Sequence, residues 1–412
     1  MNTRSLPPSN TPCDIQVEVD AYLPWSGGSR TYYHNLYSRL VDNYGCNVIV
    51  NTTHCDGEAA FDALWTTSRL HITRHDQRLP DWGWKRAPLL AKKTIRALAS
   101  SSYNAPAAMH CGDLFPQAFA GSTIRRLTGT PLLIFVHGDE ISQTEGRKLQ
   151  PHIRNLIYRT ADALVAANTY AYRELSRILG STERLTLITP GVDLDSFYPA
   201  PAPSWLKSKY HLGSGPILAT VGRLVRKKGH DTILSCLPQV VKEFPTLRYL
   251  IVGDGPERSR LQELTASLGL TEQVVFTGNV PHEQLGDYYR AADIFCMVNQ
   301  MDATGDVETF GMVFLEANAT GKPVIGGRSG GTSQSILDGE TGFLCEPEQP
   351  AQAASYILLL LRDVALRERI GKAGFQRVRQ DFDWNSRAAQ LFEIHNRMVR
   401  TLRQPYRRGA FS

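Results

Sequence analysis

The chain has 412 residues, 42% of them apolar and 21% charged. That is ordinary globular composition at a length too great for one compact core, so wholesale disorder is excluded and two domains of about 150–200 residues are expected. Forty-five basic residues against 40 acidic leave a formal charge of +5, too balanced for a dedicated nucleic-acid binder, and no stretch approaches the roughly 18–20 uncharged apolar residues of a membrane-spanning helix.

From the N-terminus onward, short apolar strands alternate with helical patterns, the mark of parallel sheets covered on both faces. In the first half Ile15–Val19, Asn47–Val50, Ala107–His110, Leu132–Val136 and Ala163–Ala166 read as strands, with a helix over Ser29–Tyr44. In the second half the strands are Ile217–Val221, Tyr249–Val252, Val274–Thr277, Ile294–Met297 and Pro323–Gly326. Helices near Asp231–Glu243, Glu257–Leu268, His282–Ala291, Gly311–Ala319 and Ala351–Arg362 separate them. The proline-rich stretch Tyr198–Pro203 can continue neither a helix nor a central strand, which puts the domain boundary there. The expected architecture is α/β: two doubly wound domains, 1–198 and 199–382, facing a cleft at the carboxyl ends of their strands, where such sheets bind ligands. A C-terminal helix and basic tail, 383–412, is expected to pack back toward the first domain.

The opening residues MNTRSLPPSNTPCD lack the apolar segment of a secretory signal. The seven cysteines, Cys13, Cys46, Cys55, Cys111, Cys236, Cys296 and Cys345, are odd in number and contain no CxxC pair. These features exclude a zinc ribbon, argue against a disulfide framework, and point to reduced thiols in a cytoplasmic compartment.

The strongest chemical signal is Glu308-Thr-Phe-Gly-Met-Val-Phe-Leu-Glu316, two carboxylates bracketing the start of a helix. A helix beginning near Phe310 or Gly311 offers free N–H groups and a positive dipole end to a phosphate. Glu308 can then reach hydroxyls beyond the phosphate, and Glu316 can accept from a vicinal diol such as a ribose. The alternative is a plain helix start with one favourable acid and one surface acid. Next comes Gly222-Arg-Leu-Val-Arg-Lys-Lys-Gly229, directly after a strand. Its Arg223 and Lys228 suit a pyrophosphate, a guanidinium gripping two oxygens and an ammonium adding a point charge, although a basic turn is often only a solvated loop. The pattern is neither a P-loop nor a GxGxxG turn. Trp25-Ser-Gly-Gly-Ser29 follows the first strand with glycines that bare the backbone, and His137-Gly-Asp-Glu140 follows the strand Leu132–Val136.

In their order and spacing these pieces, with Pro190-Gly-Val-Asp-Leu-Asp-Ser-Phe197, Val252-Gly-Asp-Gly-Pro256 and Gly278-Asn-Val-Pro281, resemble family 4 of the retaining glycosyltransferases, glycosyl transferases group 1, which have the GT-B fold of two Rossmann-like domains. The resemblance runs over nearly the whole chain and extends to the phosphatidylinositol mannosyltransferases. It implies transfer of a hexose from a nucleotide-diphosphate sugar to a hydroxyl acceptor, in polysaccharide or glycolipid synthesis, with retention at the anomeric carbon. The resemblance assigns Arg223 and Lys228 to the donor diphosphate, Glu316 to the ribose, and Glu308 to the donor-sugar hydroxyls. It assigns the backbone around Phe310, Gly311 and Met312 to the phosphate cradle, Val280 to the base, Gly27 and Gly28 to a loop beside the phosphate, and His137 to the reacting carbon. In front-face attack the leaving phosphate takes the acceptor's proton, so His137, Glu308, Arg223 and Lys228 form the expected catalytic set. No cofactor and no obligatory metal are implied.

Thr309 departs from the glycine many members carry there. Asp193-x-Asp195 has the look of a DxD metal site, but its place in an interdomain turn favours turn capping. Residues 82–100 combine Trp82 and Trp84 with Lys85, Arg86, Lys92, Lys93 and Arg96 and no acid, a composition suited to an anionic membrane surface and hence a lipid-linked acceptor and a peripheral place on the cytoplasmic membrane face. The alternative is an ordinary amphipathic helix with solvated cations. The arginines from Arg397 to Arg408 add to such a patch or form a solvated terminus. Two rival readings are a pyridoxal-phosphate phosphorylase of the same fold, for which no Schiff-base lysine motif is evident, and a non-catalytic nucleotide-sugar-binding protein. Transfer to a small soluble acceptor is a further alternative. The base, the sugar and the acceptor are not legible.

Overall fold

Parallel strands dominate the protein, a computed structural model that describes residues 14–24, 27–75, 92, 94–99, 106–142, 150–303 and 305–403. The chain divides into two units, Met1–Pro190 with Trp384–Ser412, and Gly191–Asp383.

In the first unit the strands are β1 (Asp14–Glu18), β2 (Asn47–Thr52), β3 (Leu70–Arg74), β4 (Ala108–Cys111), β5 (Leu132–Val136), β6 (Ala163–Ala166) and β7 (Leu185–Leu187), in the order β3-β2-β1-β4-β5-β6-β7. All pairings are parallel, with Val17 of β1 opposite both Val50 of β2 and His110 of β4. Every residue of β5 is buried, as a sheet covered on both faces requires. The strand period of two sends Leu133 and Phe135 into one apolar layer, and Leu132, Ile134 and Val136 into the other.

Helix α1 (Gly28–Tyr44) supplies Tyr32, Tyr33, Leu36, Tyr37 and Leu40 to the first of these layers. The C-terminal helix Trp384–Arg403 completes that layer with Trp384, Ala388, Leu391, Ile394 and Val399 at helical spacing. Trp384 meets the edge of Tyr32 at 5.7 Å between centroids, and Tyr44 stacks on Phe392 at 4.2 Å. His395 Nδ1 lies 3.3 Å from His110 Nε2.

The second unit repeats the plan with β8 (Ile217–Val221), β9 (Arg248–Val252), β10 (Val274–Gly278), β11 (Ile294–Met297), β12 (Val324–Gly327) and β13 (Gly342–Cys345), ordered β10-β9-β8-β11-β12-β13. Phe295 and Met297 of β11 enter one core layer, and Ile294 and Cys296 the other.

Two expectations change, and one helix is added. The division falls between Pro190 and Gly191, eight residues before the expected boundary at 198, because Val192 and Phe197 are already in the second core. There the Val192 N–H donates to the Phe382 carbonyl at 2.8 Å, and Tyr198–Pro203 lies inside the second unit. Cys46, expected as a reduced thiol, is disulfide-bonded, since an odd cysteine count does not preclude one pair, while Cys55, Cys111, Cys236, Cys296 and Cys345 are free. The helix Val364–Asp381 was not anticipated, for its buried face is thin: Ile370, Gly371, Gly374 and Val378. Among the described residues no helix is long and apolar enough to cross a membrane.

Trp384→Ala should destabilise the first unit by about 3–5 kcal/mol, the usual cost of emptying a large core site. Hydrogen exchange should show protection lost in Gly28–Tyr44 and retained in the second-unit helix His230–Val241.

Candidate functional site

Strand order reverses between β1 and β4 in the first sheet and between β8 and β11 in the second, and each reversal opens a crevice outside the strand carboxyl ends. In the second unit β8 runs directly into Gly222–Gly229, and β11 leads toward Glu308. The Gly222 N–H donates to the Val252 carbonyl at 2.9 Å and the Leu224 N–H to the Asp254 carbonyl at 3.0 Å, so the turn after β9 holds the basic loop in place.

Within that loop the cations differ in their commitments. Lys228 Nζ sits 2.5 Å from Glu308 Oε2, with only 16% and 15% of the two side chains exposed. Burial alone would push the Glu308 carboxyl up, but the Lys228 charge and hydrogen bond, the Lys227 charge and the Gly311 N–H together hold it below its ordinary value. Glu308 is therefore ionised at neutral pH. Lys227 pairs with Asp306 at 2.7 Å, and Arg226 with Glu257 at 2.8 Å. Arg223 is exposed, and its guanidinium has no ion pair or hydrogen bond among the described residues, which leaves it available to an anion.

Gly311 caps the helix Met312–Ala319 with φ 84°, a left-handed conformation costly to any residue with a Cβ. The first N–H groups of that helix have no intrahelical acceptor. Phe310 beside it is buried, its ring 6.1 Å from that of Phe382. One turn on, Glu316 Oε2 accepts from the Tyr289 hydroxyl at 2.6 Å. Burial lifts the Glu316 carboxyl above its ordinary value, against the opposing Tyr289 hydrogen bond and the His282 and Lys228 charges. Its Oε1 has no hydrogen-bond partner among the described residues and can take a diol. Val280, in the turn after β10, packs its half-buried side chain on the core.

In the first unit Gly27 is the N-cap of α1 and Gly28 its first residue, so the expected loop is a helix start; Trp25 and Ser26 lie outside the described residues. His137 leaves β5 clamped by aromatic edges, with Tyr32 at 5.6 Å and Tyr33 at 5.4 Å. Its Nε2 is 2.6 Å from the Tyr33 hydroxyl, and its carbonyl accepts from Asn168 Nδ2 at 2.6 Å. Burial pushes the imidazole down to about 4, so it is neutral at physiological pH. The Gly138 N–H donates to Glu140 at 3.0 Å, while burial and the Asp139 charge push the Glu140 carboxyl up to about 8.

Tyr33, Asn168 and Tyr289 escaped the sequence reading. The tyrosines sit in apolar helical runs that read as core, whereas Asn168 carried a usable signal: it precedes a helix and caps it through the Ala171 N–H at 2.8 Å. Asp193 accepts from the Asp195 N–H at 3.3 Å and from Ser196 Oγ at 2.7 Å, the geometry of a capped turn. Of the basic-aromatic segment, Trp82, Trp84, Lys85, Arg86 and Lys93 lie outside the described residues. Lys92 is exposed, whereas Arg96 is half-buried and lines a pocket with Glu18, Asn51 and His75.

Two family models match the chain: Glycosyltransferase Family 4 over residues 26–196 and Glycosyl transferases group 1 over residues 205–377. A GDP-mannose-dependent alpha-(1-6)-phosphatidylinositol monomannoside mannosyltransferase of Mycolicibacterium smegmatis is 30% identical over 380 residues, covering 90% of this chain and 96% of that protein. A D-inositol 3-phosphate glycosyltransferase of Nocardia farcinica is 33% identical over 268 residues, 61% of this chain and 57% of its own length. Among solved structures, Anabaena HepE in complex with UDP superposes with a TM-score of 0.76 at 21% identity, covering 93% of this chain and 100% of that one. Sucrose-phosphate synthase from Thermosynechococcus elongatus gives a TM-score of 0.77 at 23% identity, over 94% and 99%.

Lys228→Met strands Glu308 as a buried charge and should cost the second unit about 3–5 kcal/mol in urea denaturation, whereas adding Glu308→Gln to the same chain should recover most of the loss.

Proposed function

This chain belongs to family 4 of the retaining glycosyltransferases, with the GT-B fold, and we propose that within it the protein moves mannose from GDP-mannose to a hydroxyl of an inositol-bearing glycolipid. Membership itself makes it a hexosyltransferase that takes a nucleotide-diphosphate sugar and retains the anomeric configuration. The observation that carries the finer reading is coverage. The phosphatidylinositol monomannoside mannosyltransferase matches along 90% of this chain, including the first unit expected to bind the acceptor. The D-inositol 3-phosphate glycosyltransferase matches along 61%.

In this reading Arg223, which has no ion pair among the described residues, grips the diphosphate together with Lys228 and the N-terminus of the helix Met312–Ala319. Glu316, oriented by Tyr289, accepts from the ribose, and Glu308 accepts from hydroxyls of the sugar. The glycosidic carbon–oxygen bond to phosphate breaks as the acceptor oxygen bonds to the same face of the anomeric carbon. The acceptor's proton passes to the departing phosphate oxygen, and GDP leaves. Stabilising that growing negative charge with fixed cations and a helix end is the main catalytic effect. In this reading the positive charge comes from Arg223, Lys228 and the helix end, and no bound metal is required. A lipid acceptor requires contact with a membrane surface, for which the basic-aromatic segment at residues 82–100 is the proposed patch.

GDP should raise the thermal midpoint of the wild type more than UDP or ADP at equal concentration, because a ligand of the native state stabilises by mass action. The gain should shrink in Arg223→Ala and Glu316→Ala. Arg223→Ala should lower kcat about 100-fold or more, with transfer from GDP-mannose to phosphatidylinositol mannoside in anionic vesicles insensitive to EDTA. Equal shifts by all three nucleotides, or transfer only to free inositol phosphate, would replace this reading.

A further inference from the structure

The Tyr33 hydroxyl has two close neighbours: the Gly112 carbonyl oxygen at 2.6 Å and His137 Nε2 at 2.6 Å. A phenol has one proton and a carbonyl oxygen has none. The Tyr33 proton must therefore lie on the contact with Gly112, since an unprotonated oxygen–oxygen approach of that length would be repulsive. The contact with His137 then requires the imidazole to be the donor, so Nε2 carries a hydrogen. Tyr33 keeps its proton, because burial and the nearby Asp113 and Glu140 charges raise it well above its ordinary value. His137 stays neutral, so its one ring hydrogen is the one on Nε2. Nδ1 is left with a lone pair and has no hydrogen-bond partner among the described residues.

The arrangement is built rather than incidental. Gly112 follows β4, and a Cβ placed there would lie 2.7 Å from the Tyr33 hydroxyl and 2.6 Å from Val19 Cγ1, so glycine is what admits the phenol. Tyr33 is 1% exposed on α1, five residues after that helix begins. T-shaped packing with the Tyr32 and Tyr33 rings restrains the imidazole plane, and the Asn168 bond to the His137 carbonyl holds the backbone that carries it. Without the Tyr33 hydroxyl either tautomer would fit.

We propose that Tyr33 is a positioning residue for the transfer reaction: its single proton, committed to Gly112, selects the Nε2–H tautomer of His137 and so presents Nδ1 as an acceptor for a substrate hydroxyl. The use made of Nδ1 rests on the transferase reading above, while the tautomer itself does not.

The test is a long-range proton–nitrogen correlation spectrum of the full chain labelled with 15N-histidine, the His137 signals being identified by their loss in His137→Gln. Wild type should show Nε2 protonated and Nδ1 bare. Tyr33→Phe should shift His137 to a mixture or to the Nδ1–H form. It should lower kcat about tenfold, the worth of one neutral hydrogen bond, with donor KM within about twofold. Gly112→Ala, which pushes the phenol away while keeping it, should give the same spectral change and serves if Tyr33→Phe folds poorly. An Nδ1–H signal in wild type, or a tautomer unchanged in both variants, overturns the proposal. A changed tautomer with unchanged kcat removes the catalytic part and leaves the transferase reading standing.

Discussion

A parallel sheet must bury both faces, and that requirement governs everything the protein presents to a ligand. With helices over each face, the exposed backbone of the sheet is left to the strand ends and the outer edges, and the reversal of strand order separates the outgoing connections at one place in each unit. Gly222–Gly229 leaves β8 at one reversal, and Gly112–Asp113 leaves β4 at the other. Arg223, Lys228, Glu308 and His137 are thus loop residues held by rigid strands, whereas Glu316 and Tyr33 stand on helices, so loops can carry candidate chemistry without carrying the fold.

In the second unit the loops store charge in a form a diphosphate can use. Lys228 would be costly to bury alone, as would Glu308, and each makes the other tolerable. Neither would have to be ordered for an anion bound there, so their entropic cost is met on folding rather than on binding. Arg223 is the complement, exposed and without an ion pair among the described residues. An anion that recruits it need break no ion pair seen there, whereas a ligand that draws on Lys228 must compete with Glu308. The two cations of one short loop are therefore unequal, although as letters in a sequence they look alike.

That inequality marks how far the sequence could be read. β5, β6, β8 and β11 stand where the sequence puts them, because each is an apolar run in a sheet interior, broken only by Thr220 in β8. The strands it did not show, β3, β7 and β13, are all edge strands. An edge strand pairs on one side only, runs short and carries polar residues, as Leu185–Leu187 with its central Thr186 illustrates, so its pattern is faint. The candidate site divides in a similar way. Arg223, Lys228, Glu308 and Glu316 are legible because their spacing within a loop or a helix turn is local. Tyr289 on Glu316 and Tyr33 on His137 are contacts across 27 and 104 positions, and no local pattern distinguishes those tyrosines from core. The boundary at Tyr198–Pro203 misled for a related reason: proline shows where regular structure stops, and the chain changes unit where its apolar residues change core.

The two units also differ in the kind of polarity they offer. Around the second-unit loop the groups are ionised, with Glu308 held down by Lys228. Around His137 burial removes charge: the imidazole is pushed down to about 4 and the Glu140 carboxyl up to about 8, while Tyr33 keeps its proton. Neutral donors and acceptors recognise neutral hydroxyls without the desolvation cost a buried ion would impose, and ionised groups recognise phosphate. One doubly wound plan yields both kinds of polarity because burial at the strand ends is tuned separately, by an aromatic clamp in the first unit and by a lysine–glutamate pair in the second.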